Sequence, residues 1–145
     1  MHITRYSDYC LRTLIFLALQ GDRLATIQEV SASYDISKNH LMKIVYQLAQ
    51  KGYIDSIRGK NGGIRLGRAP EKINLGTLFK EVEQSFAIAE CFSSTNRCTI
   101  TPACHMKKIL SEALAAFLAV LDKYTLADLV SPRHRPELIR LLQAP

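Results

Sequence analysis

Ser37-Lys-Asn-His-Leu-Met-Lys-Ile-Val-Tyr-Gln-Leu-Ala-Gln-Lys51, then Gly52, then Tyr53-Ile-Asp-Ser-Ile-Arg-Gly59-Lys-Asn-Gly-Gly-Ile-Arg-Leu66, is the stretch that decides the fold of this 145-residue chain. Ser37 is a strong helix N-cap, and Leu41, Ile44, Val45 and Leu48 recur at i, i+3, i+4 and i+7. A helix with one apolar face is therefore expected, ending at Gly52. Its first turn and outer face carry Ser37, Lys38, Asn39, His40, Lys43, Tyr46 and Gln47. Such side chains donate to phosphates and read base edges in a major groove, but they also suit an ordinary hydrated helix face. The residues after Gly52 decide between the two. Residues 53–58 alternate as a strand, Asn61-Gly62 supplies the positive φ angles of a tight turn, and Ile64-Arg-Leu66 returns as a second strand. The expected hairpin carries Arg58, Lys60, Asn61 and Arg65, with Arg68 just beyond. A cationic hairpin beside such a helix is placed to grip phosphates or the neighbouring minor groove.

Upstream, Thr26-Ile-Gln-Glu29 has the pattern of a capping box and opens a short helix with Ile27, Val30 and Tyr34 facing inward. Asp35-Ile36 comes next as a tight turn, so the second and third helices make a helix-turn-helix. A first helix is expected to be capped by Ser7, with Asp8 near its positive end and Leu11, Leu14, Ile15, Leu17 and Ala18 as its apolar face up to Gly21. Cys10, among these apolar neighbours, is read as a buried, unreactive thiol.

Charge points the same way. The formal net charge is +6, and through Arg68 there are ten Lys or Arg against five Asp or Glu, whereas the remainder has nine against eight. A basic N-terminal half implies a polyanionic partner. Helix-turn-helix, basic wing and charge asymmetry share one geometry, and together they predict binding of a double-stranded DNA operator. No constellation resembles a catalytic site, and Gly62-Gly63 lacks the spacing of a dinucleotide fingerprint, so no enzymatic activity is expected.

Beyond Ala69-Pro70, which breaks regular strand pairing, Leu78, Phe79 and Val82 mark a short packing helix. Then comes Cys91-Phe-Ser-Ser-Thr-Asn-Arg-Cys98-Thr-Ile-Thr-Pro-Ala-Cys104, which holds three of the four cysteines in a polar segment with no apolar period. Thiols so placed look like ligands for a soft metal, either an iron-sulfur cluster or a structural zinc, with thiol redox chemistry as a third option. From about His105 to Tyr124 runs the longest expected helix, on which Met106, Leu110, Ala113, Phe117, Val120 and Tyr124 alternate by four and three, the rhythm of a helix-helix seam. Ile109, Leu114, Leu118 and Leu121 lie outside that seam, so the helix is apolar on more than one face. A small winged domain covers only one face, hence a homodimer is expected. Thr125-Leu-Ala-Asp128 caps one further turn, and residues 136–142 make a short terminal helix.

A chain that is 48% hydrophobic can fill a core, and it has neither a signal-like N-terminus nor an apolar run of ~20 residues. A soluble cytoplasmic protein with no membrane partner is expected. The fold class is mainly α with a small β-hairpin, a winged helix-turn-helix plus a long C-terminal dimerisation helix. The chain divides into three segments: 1–85 for DNA binding, 86–104 as a cysteine-rich cluster-binding loop, and 105–145 as dimerisation helix and tail.

The order of these parts resembles the Rrf family of bacterial winged-helix iron-sulfur regulators. The likeness is carried by Ile3-Thr-Arg-Tyr-Ser-Asp-Tyr9, Gly59-Lys-Asn-Gly-Gly-Ile-Arg-Leu66 and Ala89-Glu-Cys91-Phe, and is greatest to the family's nitric-oxide-sensitive repressors. The resemblance implies an iron-sulfur cluster on Cys91, Cys98 and Cys104, 2Fe-2S in preference to 4Fe-4S. It also implies nitric oxide as the signal and operators in genes for nitrosative-stress protection. One branch of the family places a His ligand three residues after the last loop cysteine, where this chain has Lys107, a cation ill suited to a metal. The fourth ligand is therefore sought first at Asp8, from the same or the other subunit, then at His105, then at Glu90.

Overall fold

Seven α-helices, three short 3-10 turns and one hairpin make up the regular structure among the described residues, which in this computed structural model are 2–144. The outermost residues of the first and last expected segments, 1 and 145, lie outside them. Helix α1 (Arg5–Gln20) begins earlier than expected. Thr4, not Ser7, is the N-cap, and its Oγ1 accepts the Ser7 N–H at 3.3 Å while Ser7 itself is buried in the first turn. Both residue types cap well. The choice is made from far along the chain, because the Glu83 carboxylate accepts from Thr4 N at 3.1 Å and from its hydroxyl at 3.0 Å.

Helix α2 (Ile27–Tyr34) carries the expected capping box, with Thr26 N donating to Glu29 Oε2 at 2.6 Å and Glu29 N to Thr26 Oγ1 at 3.2 Å. Asp35 makes the turn in the left-handed region at φ 53°. Ser37 then caps α3 (Lys38–Gln50), accepting from His40 N at 3.2 Å, and the four expected apolar positions are all buried. Strands β1 (Ile54–Ile57) and β2 (Gly63–Leu66) pair antiparallel with Ile54 opposite Leu66 and Ile57 opposite Gly63. The connection is accordingly the five-residue loop 58–62, displaced by one residue from the expected 59–63, and Asn61-Gly62 does not supply its positive φ. Gly59 supplies the positive φ, 108°, and a Cβ on Gly62 would lie 2.1 Å from the Ile57 carbonyl oxygen. The register is pinned from outside the hairpin: Ala25 and Ile64 exchange backbone bonds of 2.9 and 2.8 Å, tying β2 to the helical body.

The core is built around α1, whose Cys10, Leu14, Phe16 and Leu17 are fully buried. Helix α4 (Leu75–Val82), capped by Asn74, adds Leu78, Phe79 and Val82 as anticipated. The chain's last elements, α6 (Leu126–Leu129) and α7 (Arg135–Leu142), return to the same core through Leu126 and Val130. Arg135 donates to the Leu19 carbonyl at 2.8 Å, and Ser33 Oγ to that of Leu142 at 2.9 Å.

Helix α5 (His105–Leu121) is the longest of the helices and yet none of its 17 residues is buried. Leu114, Leu118 and Leu121 are half-buried where it leans on α4. Along the seam Met106, Phe117 and Val120 are exposed by 57, 44 and 51%. An apolar groove of about 500 Å³, lined by Phe79, Phe86, Leu110, Ala113, Leu114 and Phe117, lies between α5 and the body. The far end is tethered: Lys80 Nζ pairs with the Asp122 carboxylate at 2.8 Å, and Asn74 Nδ2 donates to the Asp122 carbonyl at 2.8 Å. Among the described residues no helix is long and apolar enough to cross a membrane.

Candidate nucleic-acid interface and cysteine loop

The apolar stripe of α3 seats the helix on the body, so its complement must face solvent, and Ser37, Lys38, Asn39, His40, Lys43, Tyr46 and Gln47 are all exposed. Arg58, Lys60 and Asn61 are exposed on the wing, and Arg65 is half-buried. Arg65 faces Asp55 across the hairpin, Nε to carboxylate 3.8 Å, a surface pair too weak to withhold the guanidinium from a phosphate. Tyr46 accepts from Gln50 Nε2 at 2.8 Å. Arg68, grouped with the wing by its position in the chain, is otherwise engaged: its guanidinium lies 4.2 Å from the centre of the Tyr53 ring and donates to the Lys51 and Gly52 carbonyls at 2.7 and 3.2 Å.

Two residues of this surface are not apparent from the sequence pattern. Met42, 57% exposed, stands between Lys38 and Tyr46 at spacings of four, a visible signal, yet methionine usually packs and so is not expected there. Tyr6 comes from α1, and its hydroxyl donates to the side-chain oxygen of Gln47. No local pattern reports a contact across 41 positions. The same hydroxyl meets Cys10, whose thiol is pushed up to about 12 by burial, with the Tyr6 bond acting in the opposite sense. Cys10 is thus the inert buried thiol that its apolar neighbours predict.

The cysteine loop has a different character. Two short 3-10 turns, Glu90–Phe92 and Thr101–Ala103, are its regular elements, and its remaining order is local. Asn96 Nδ2 donates to Thr101 Oγ1 at 2.9 Å, Thr101 Oγ1 to the Cys98 carbonyl at 2.8 Å, and Arg97 N to Glu90 Oε1 at 2.8 Å. Cys91 and Cys104 are half-buried, Cys98 is exposed, and all three are free thiols. Cys104 is the N-cap residue of α5, and its side chain makes no cap bond. Asp8 lies on α1 in an ion pair with Arg12 at 2.7 Å, His105 opens α5, and Glu90 accepts from the loop backbone. Among the described residues no three His, Cys, Asp or Glu side chains converge as a metal site. The donor chemistry nevertheless fits a thiophilic group: three unpaired thiols within one polar segment whose backbone is held by few, local bonds.

A family model described as Rrf2, an iron-dependent transcriptional regulator, matches residues 3–132. The chain is 50% identical over 145 residues to the HTH-type transcriptional regulator NsrR of Bacillus subtilis, covering 99% of this chain and 98% of that one. It is 48% identical over 133 residues to the regulator of the same name from Halalkalibacterium halodurans, covering 90 and 91% of the two chains. Among solved structures, CymR, the global cysteine regulator of B. subtilis, superposes with a TM-score of 0.70 at 25% identity, over 89% of this chain and 95% of that one. T. potens IscR has the same fold, with a TM-score of 0.71 at 23% identity over 90 and 86%. With a family model spanning most of its length and a relative half identical along it, the chain belongs to the Rrf2 family and is a regulator of transcription, not an enzyme.

Proposed function

We propose that the protein is a homodimeric repressor that releases its operators in response to nitric oxide. A cluster of the iron-sulfur type, 2Fe-2S in preference to 4Fe-4S, would be held by Cys91, Cys98 and Cys104, with Asp8 as the fourth ligand. When bound, that group supplies the iron that meets nitric oxide. Everything else is done by the chain. Lys38, Asn39, His40, Lys43, Tyr46 and Gln47 enter a major groove, Ser37 holds the first turn in register, and Arg58, Lys60, Asn61 and Arg65 contact the backbone beside it. Two copies set their α3 helices in successive grooves, with half-sites about 34 Å apart or a multiple of that. The uncovered seam of α5 joins them.

One observation above all supports this function: the three free thiols lie on the segment that runs directly into the uncovered helix, with Cys104 at the junction. Cys91, Cys98 and Cys104 would hold that group and so restrain the segment, and without it the N-terminal end of α5 would be free while Asp122 keeps the other end fixed to α4. A pivot of this kind alters the spacing of two heads. Switching occupancy from 99:1 to 1:99 requires the two states to differ by about 5.5 kcal/mol in operator affinity. The test is operator binding by anaerobically purified protein before and after stoichiometric nitric oxide, with iron and sulfide assayed on the same sample. A large loss of affinity is expected; unchanged affinity, or a colourless protein holding one zinc per chain, would overturn the proposal.

A further inference from the structure

We infer that Tyr6 is a positioning residue for sequence readout: it orients the side-chain amide of Gln47 so that α3 presents two N–H donors to the DNA. The inference rests on the proposed docking of α3 in a major groove. Tyr6 stands on the first turn of α1 and Gln47 in the last two turns of α3, and the Tyr6 hydroxyl donates to Gln47 Oε1. An isolated glutamine on a helix surface turns its amide freely and offers either a carbonyl or an amino group. Here the Tyr6 hydroxyl makes the choice by donating to Oε1. With that oxygen occupied by the protein, Nε2 and its two hydrogens are left for the DNA.

The chemical consequence is selectivity for a base edge made only of acceptors. In the major groove guanine shows two acceptors, O6 and N7, and thymine one, O4, whereas adenine adds an amino donor that needs a carbonyl opposite it and cytosine shows an amino donor alone, so two N–H donors are matched in full by guanine only. A Gln47 held by Tyr6 therefore favours guanine at one position in each half-site. Released, it recovers the two-way pairing that glutamine gives adenine.

The test is selection from randomised DNA by wild type, Tyr6→Phe, Gln47→Ala and the double variant, with affinities then measured on the selected site and its single-base variants. Tyr6→Phe keeps the ring and removes only the hydroxyl. It is expected to lower the guanine-over-adenine preference at one position about ten-fold, the size of one neutral hydrogen bond, and to leave every other position alone. Gln47→Ala should erase preference at that same position, and adding Tyr6→Phe to it should change nothing further. Gln47→Glu, which only accepts, should turn the preference towards cytosine. A Tyr6→Phe protein with the wild-type profile would overturn the inference, as would additive effects in the double variant or a wild-type preference for adenine there. A wild-type protein that selects no sequence at all would instead overturn the docking of α3, and this inference with it.

Discussion

The winged head and helix α5 are both rich in leucine, isoleucine and valine, yet they use these residues in opposite ways. In the head every apolar stripe meets another: α1 lies at the centre with Leu14, Phe16 and Leu17 sealed, and α3, α4, α6 and the hairpin close over it. In α5 not one residue is buried, although its apolar content is no lower. The difference teaches where the chain is self-sufficient. The head is complete as one copy, whereas α5 presents uncovered apolar surface and the cysteine loop before it three free thiols. Burial of apolar area stabilises by roughly 25 cal/mol per Å², so an open seam of this length is a standing driving force for association.

Truncation separates the two regions most sharply. Leu14→Ala should destabilise the chain by about 2–5 kcal/mol in denaturant unfolding, because it opens a cavity in a sealed core. Phe117→Ala, at concentrations where the chain is monomeric, should stay within about 0.5 kcal/mol. Equal costs at the two sites would show that α5 is packed within one copy. Next in size, Phe117→Glu should weaken self-association on the order of a hundred-fold in sedimentation equilibrium, since it places an unpaired charge in the seam, while circular dichroism of the head is unchanged.

The cysteines divide along the same line. In metal-free protein Cys91, Cys98 and Cys104 should be alkylated at pH 8, and Cys10 only on unfolding, as mass spectrometry of the labelled chain would reveal. The folded-state value of Cys10, near 12, lies above its ordinary value of 9.0, so the folded state binds that proton more tightly than the unfolded one. Its contribution is fully present below about pH 9 and is lost as pH rises towards 12. Cys10→Ala should therefore flatten the fall in stability over that alkaline window; an unchanged slope would contradict the burial of the thiol. The smallest effect is expected at the wing. Lys60→Ala should lower affinity to similar degrees on all DNA sequences and reduce the salt slope of binding by about one.

Legibility from sequence divides in the same way. Helix α3 is readable in full, because Ser37 and the four buried positions encode it locally. The capping boxes at Thr26 and Thr125 are equally local. Expectation and structure part where a distant partner decides the outcome. Glu83 selects Thr4 over Ser7 as a cap, and the bridge from Ala25 to Ile64 sets the hairpin register, moving the positive φ from Asn61-Gly62 to Gly59. Arg68 is drawn away from the wing by the Tyr53 ring, and Tyr6 joins the interface from α1. The three loop thiols and Asp8 can be proposed as ligands from the sequence, but no local pattern reports their convergence, and Asp8 is paired with Arg12 within its own helix.

Hydrogen-deuterium exchange on the anaerobically purified protein, before and after stoichiometric nitric oxide, tests most directly the claim that the signal acts on the incomplete half of the molecule. Amides of residues 89–104 and of the first turns of α5 should lose protection, and those of α1 and α3 should keep theirs. Loss of protection spread evenly through α1 and α3, or none in the cysteine loop, would contradict it.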